Sequence, residues 1–193
     1  MKKILRLTGN NTQMLTRFLI VFLVAINTAP NNEVTIQWNE SKKLTWSDFK
    51  GPVERGSDAV AVTASGITFS FSVQQSNDTF VSFEAHADAH FYPEKSWYLK
   101  DKGDDHILAH EQLHFDITEL HVRKLRYEIS KLRISQNIKT ELRHAHEQAN
   151  IQLAKMQNAY DTQSENSMNK EQQAIWSAFV KAELIKYKAY RSQ

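Results

Sequence analysis

The sequence predicts an α+β fold, with an N-terminal antiparallel β layer followed by a three-helix region, and three observations carry that prediction. Stretches that alternate apolar and polar residues are confined to residues 31–103. From Asp104 onward apolar residues recur instead at spacings of three and four, the period of an amphipathic helix. No proline follows Pro93 and no glycine follows Gly103, so nothing in the second half interrupts helices.

Residues 1–29 read as a targeting segment. Lys2, Lys3, Arg6 and Arg17 precede the apolar run from Phe18 to Ile26, and Asn27-Thr28-Ala29-Pro30 follows it. The run is shorter than the ~20 residues a spanning helix needs. The order basic, apolar, small is that of a secretory signal peptide, the alternative being an uncleaved membrane anchor. A start at Met14 would give the more compact signal. The expected location is therefore secreted or periplasmic, with no membrane association once the signal is removed. Residues 30–193 are then one domain, β-rich over 31–103 and helical over 104–190.

Within the β-rich part, Val34-Thr35-Ile36-Gln37-Trp38 alternates, and Ile67 to Val73 alternates strictly, as a half-buried strand does. Gln74 to Asp78 is a polar turn, after which Phe80 to His86 can return as the hairpin partner. Trp46-Ser47-Asp48-Phe49 suits a short helical turn, and Gly51-Pro52 and Gly56 mark loops. In the helical part, Asp104 or Asp105 can cap a first helix. Its apolar stripe of Leu113, Ile117, Leu120, Val122, Leu125, Ile129 and Leu132 ends near Ile134. A second helix is expected from Ile138 to Tyr160, a polar break from Asp161 to Asn169, and a third helix from Lys170 to about Tyr190.

Composition removes several classes of function. A net charge of +2, with basic residues spread among acids, gives no electrostatic case for nucleic acid. The absence of cysteine removes disulfides and thiolate metal sites. Eight histidines remain, and their placement is informative.

His110 and His114 are four residues apart on the first helix, so both imidazoles leave one face, one turn apart. Two ligands of one zinc ion need that spacing. Glu111 sits beside them, rotated by about 100°, too far round to be a natural ligand but placed to take a proton from a zinc-activated water. That is the mechanical content of a His-Glu-x-x-His motif. The alternative is a pair of exposed histidines on an amphipathic helix.

A catalytic zinc takes three protein ligands and keeps one open position. Leu120 occupies the place six residues beyond His114, and His121 lies two turns along, about 10 Å away. If the first two helices form an antiparallel pair turning near Ser135, Met156 comes level with His114 and Tyr160 with His110. His144 and His146 would then lie about 15 Å from the metal. Asp161 becomes the first candidate for third ligand and Glu165 the next; otherwise Asp161 is a polar residue that orients a ligand histidine. His86 and His90 point the same way from one strand, either toward the site or as structural residues of a sheet face. Asp116 faces away from the metal side, as a cap or ion-pair residue.

The stretch from Ile107 to Ile117, containing His110-Glu111-Gln112-Leu113-His114-Phe115-Asp116, resembles the bacterial predicted secreted zinc-dependent proteases, a family long filed as a domain of unknown function. So do Leu44 to Phe49 with Gly51-Pro52, Ser65-Gly66-Ile67, Ser96-Trp97, and Tyr160-Asp161 with Gln172 and Trp176. The resemblance covers nearly all of the chain after residue 29. It implies an exported protein with a zincin-like helix pair and peptidase activity. The family pattern also implies a threonine and then a histidine, the natural third ligand, after Tyr-Asp. Here the matching positions hold Ser164 and Asn166, and asparagine is a weak zinc ligand.

The expected function is thus an exported zinc metallopeptidase acting on a peptide or protein substrate. His110, His114 and Asp161 would hold Zn²⁺ and Glu111 would be general base. The rivals are a zincin-like envelope protein that has lost catalysis and acts as a binding module, and a metal carrier using the spare histidines.

Overall fold

A computed structural model describes residues 33–192 of the chain. The segment expected to direct export, residues 1–29, lies outside the described residues. Strands β3 (Ser65–Ser76) and β4 (Thr79–Phe91) form a long antiparallel hairpin. Its turn contracts to Asn77 and Asp78, both with positive φ (45° and 63°), shorter than the polar stretch from Gln74 to Asp78 suggests. Asn and Asp tolerate that conformation, and its twist suits a two-residue hairpin. The short strand β1 (Ile36–Gln37) pairs with the other edge of β4, with Ile36 opposite Phe91, giving the order β1-β4-β3. A separate pair joins β2 (Ala61–Val62) and β5 (Trp97–Tyr98). The turn expected at Trp46 is a 3-10 turn over Trp46–Asp48, where the Asp48 carboxylate accepts from the Thr45 amide at 2.7 Å.

Alternation along β4 sets the layers. Ala87, Ala89 and Phe91 are buried, whereas His86, Asp88 and His90 take the opposite face. The two alanines leave room for a helix to lie close against the sheet, and that helix is α1 (Asp105–Lys131). Asp104 caps it, its carboxylate accepting from the Ile107 amide at 2.8 Å. Every residue from Ile117 to Arg123 is buried, because α1 has the sheet on one side and α2 (Ile138–Ser164) and α3 (Lys170–Lys186) on the other. A helix covered all round must be the central one. Burying Ile117, Leu120, Leu125 or Phe91 contributes about 1.5–3 kcal/mol each.

Three helix ends differ from expectation. The first helix stops at Lys131, with Leu132 extended, rather than near Ile134. The second runs one turn further, to Ser164, whose hydroxyl bonds back to the Tyr160 carbonyl at 2.7 Å. The third ends at Lys186 and is followed by a 3-10 turn over Lys188–Tyr190. Between α2 and α3, Glu165, Asn166 and Ser167 all have positive φ. His106 of α1 holds this link, its Nε2 donating to the Ser167 carbonyl at 2.7 Å.

A buried ion pair sits within α1. Arg123 Nε donates to Glu119 Oε1 at 2.8 Å, and both side chains are almost wholly enclosed. Arg123 Nη1 also donates to the Leu184 carbonyl at 2.6 Å. The amide and hydroxyl of Ser192 donate to the two Glu119 oxygens at 3.0 and 2.7 Å. The segment after α3 is thereby fastened to the middle of α1.

Candidate metal centre

Because α2 runs back along α1, residues late in α2 meet residues early in α1. His110 and His114 project together, their Nε2 atoms 3.1 Å apart. Asp161, in the extra last turn of α2, brings Oδ1 to 2.8 Å from His114 Nε2 and 3.3 Å from His110 Nε2. These three residues form a group able to hold a metal ion. The expected polar break from Asp161 onward is corrected here: Asp161 is helical, and the helix fixes its carboxylate toward α1.

Neighbouring groups orient the three. His114 Nδ1 donates to Gln157 Oε1, and Gln157 Nε2 donates to the His114 carbonyl at 2.9 Å, so the amide grips the residue at both ends. Tyr160 is fully buried between the imidazoles; its ring is stacked on His110 at 4.4 Å and edge-on to His114 at 5.0 Å. Trp176 of α3 backs it at 5.6 Å.

The electrostatics keep a proton on His114 and none on Asp161. Burial opposes charge on His114, but the hydrogen bond and charge of Asp161, with help from Glu111 and Gln157, push its pKa up to about 9. Burial would raise the Asp161 carboxyl; its bonds to His110 and His114 and their charges outweigh that and hold it well below the usual carboxylate range. Burial, then the charges of Glu111 and Asp161, push the Tyr160 phenol well above its ordinary value, so it stays a neutral donor.

The donor set suits zinc. Two imidazole nitrogens and one carboxylate oxygen make a catalytic ligand set that leaves a fourth position open. Bonds of about 2.0–2.1 Å in tetrahedral geometry separate ligand atoms by roughly 3.3–3.4 Å. The three atoms here are separated by 2.8, 3.1 and 3.3 Å, so a small expansion admits the ion. Gln157 already holds the His114 tautomer that presents Nε2. The corresponding atom of His110, Nδ1, is buried without a partner among the described residues.

Glu111 is buried beside the cluster, and its charge acts on His114 and Tyr160. Thr63 fixes its backbone, donating to the Glu111 carbonyl at 3.3 Å. The remaining candidates lie elsewhere. Glu165 is exposed at the left-handed end of α2 and accepts from Asn169 at 3.4 Å. Asn166 is exposed, and Ser164 is buried but turned back to its own helix. His121 contacts Met156 Sδ at 3.3 Å; burial and then Lys124 push its pKa down to about 4. His146 stacks on Phe69 of β3 at 4.8 Å, and His144 is exposed. His86 and His90 lie on the sheet face opposite the core, His90 Nδ1 being 3.0 Å from the Thr68 hydroxyl. Asp116 accepts from Trp38 Nε1 and Gln112 Nε2 at 2.7 and 2.8 Å and pairs with Lys43. Nothing in the sequence marks Gln157, a neutral amide that carries no metal-ligand signal. The sequence marks Tyr160 only as a position level with His110, which is where the structure has it.

Comparison with protein families gives a match to the profile described as "Bacterial protein of unknown function (DUF922)" over residues 46–170, more than half of the chain. That span contains His110, Glu111, His114, Gln157, Tyr160 and Asp161. No curated protein and no solved structure matches the chain.

Proposed function

The chain belongs to this bacterial family of unknown function, and on that footing we propose that it is a zinc-dependent metallopeptidase of the cell envelope. The observation that carries the reading is the convergence of His110, His114 and Asp161 beside a buried glutamate that is not one of the three. His110 Nε2, His114 Nε2 and Asp161 Oδ1 would hold the ion. When bound, zinc supplies a Lewis acid that polarises a carbonyl and lowers the pKa of water to about 7.

The side chains of the chain do the rest. Glu111 takes the proton of the attacking water as its oxygen bonds to the peptide carbonyl carbon. The same carboxyl returns that proton to the amide nitrogen as the carbon–nitrogen bond breaks, so a carboxylic acid and an amine leave and Glu111 is restored. Gln157 and Tyr160 keep the two imidazoles in place through the cycle. The basic, apolar, small order of residues 2–29 supports export, which the mass of the native protein tests.

Metal analysis of protein purified without chelator is the direct test. One tightly held zinc per chain, lost in His110→Ala, is the expected result. A chain with no zinc favours a binding module of the envelope, and several weakly held ions favour a carrier.

A further inference from the structure

Helix α3 is apolar on more sides than the fold uses. Its inward side follows the helical period: Gln173 and Val180 are buried, and Trp176 and Leu184 pack against the core. The opposite side carries Ile175, Ala178, Ala182 and Ile185, all exposed. Ile175 is 53% and Ile185 59% exposed, with Phe179 at 48% on the flank and Met168, just before the helix, at 75%. These four are nearly half of the nine large hydrophobic residues exposed among the described residues. Single apolar residues scattered over a surface are ordinary, whereas a contiguous patch marks a surface that something covers. A helix apolar all round is normally buried all round.

Two charges indicate the cover. Glu171 and Lys181 lie on the same outer side, and neither has an ion-pair partner among the described residues. About 15 Å of helix axis separates them. An acid within the apolar patch is out of place against an anionic lipid surface. It is in place against a second copy of the same helix laid antiparallel. With a twofold axis level with the midpoint of Ile175 and Ala178, Ile175 comes over Ala178 of the second copy, and the reverse. In that register Glu171 falls within one residue of the level of Lys181 of the second copy, once at each end. A parallel pair would instead set Glu171 level with its own copy. The face is thus complementary to itself, acid to base and bulk to alanine.

We propose that the outer face of α3 is the interface of a twofold homodimer, in which two copies of the helix pack antiparallel through Ile175, Ala178 and Ile185, framed by Glu171–Lys181 ion pairs. Trp176 and Tyr160 stand between this face and the candidate metal centre, so the dimer does not depend on the metallopeptidase reading. A helix of 17 residues is about 25 Å long and 10–12 Å wide, so the pair buries on the order of 600 Å² in total. Stable interfaces bury about 1,200–2,000 Å², so this dimer is reversible, half-formed at roughly 10–100 µM.

Sedimentation equilibrium of the full chain, produced in a bacterial host and run from about 5 to about 300 µM, tests the dimer. The parent should pass from monomer to dimer with no larger species. Ile175→Asp should stay monomeric throughout and melt at the parent's temperature, since an exposed side chain has been changed. Glu171→Lys and Lys181→Glu should each weaken the dimer about fivefold or more, by setting like charges together twice. The double variant Glu171→Lys/Lys181→Glu should restore parental affinity, because each surface variant undoes the other only in an antiparallel self-pair. A parent that is monomeric at the highest concentration overturns the proposal, as does association that survives Ile175→Asp. A charge swap that fails to restore affinity overturns the antiparallel pairing. A monomeric parent that co-sediments with phosphatidylglycerol vesicles, when Ile175→Asp does not, assigns the face to lipid and overturns the dimer.

Discussion

The proton held by His114 makes a stability measurement on metal-free protein informative. Its pKa is raised from 6.5 to about 9 by Asp161, Glu111 and Gln157 acting against burial. A group whose folded pKa exceeds its unfolded value contributes stability that is fully present below the unfolded pKa. That stability is lost as pH rises through the folded pKa. The window is therefore about pH 6.5 to 9, and the metal-free protein should weaken across it. A shift of about 2.5 pH units corresponds to roughly 3 kcal/mol at most. Among the described residues with resolved shifts no other group titrates there. His121, His90 and His146 are lowered, and the raised tyrosine and lysine groups titrate higher. Asp161 stays ionised throughout, its contribution being lost only in strong acid. Urea denaturation in the presence of chelator at about pH 7 and about pH 9.5 reads the difference, since the lowered histidines act only below about pH 6.5. Asp161→Asn, which removes the charge that holds the proton, should flatten it. Zinc should reverse the trend, since coordination needs neutral imidazole, and affinity should rise about tenfold per pH unit below 9. A metal-free protein equally stable at both pH values would refute the reasoning.

Glu111→Gln should keep zinc and lose about 10²–10⁴ in hydrolysis rate, measured as zinc content and casein turnover on one preparation; loss of the metal would make Glu111 a ligand. Asp161→Ala should weaken zinc strongly by competition titration, whereas His144→Ala and His146→Ala should leave it unchanged. Gln157→Leu should cost about 10–100-fold in zinc affinity, because His114 loses the acceptor that fixes its ring. Ser167→Gly should stabilise the protein by about 1 kcal/mol in urea denaturation, since Ser167 has φ 75° and only its backbone is used by His106.

Much of this was legible in the sequence because it rests on periodicity. The period-two stretch at Ile67 to Val73 and the three-four stripe of α1 follow from one apolar face each, and both elements are present. The spacing of His110 and His114 is a property of any helix. What escaped was decided by tertiary contact. The polar run Asp161, Thr162, Gln163 and Ser164 predicts an end of α2 at Tyr160. The helix continues because Tyr160 and Ser164 are buried against the rest of the fold, and the Ser164 hydroxyl bonds back to the Tyr160 carbonyl. Asp161 thereby gains a fixed direction that a loop residue would lack. Gln157 has no sequence signature, since the role of a neutral amide is given only by what it touches.

The clasp between Glu119 and Ser192 has a consequence for synthesis. The two residues are 73 positions apart, and Glu119 lies deep in the helix that carries His114. At about 5–20 residues per second, a ribosome needs roughly 4–15 s to add that length. Throughout that interval the carboxylate of Glu119 lacks two of its donors, and for most of it Arg123 lacks the Leu184 carbonyl. Burying such a pair unfinished is unfavourable. The central helix therefore has reason to stay out of the core until the distal segment arrives. The centre around the histidines is therefore expected to order only after the distal segment has been made.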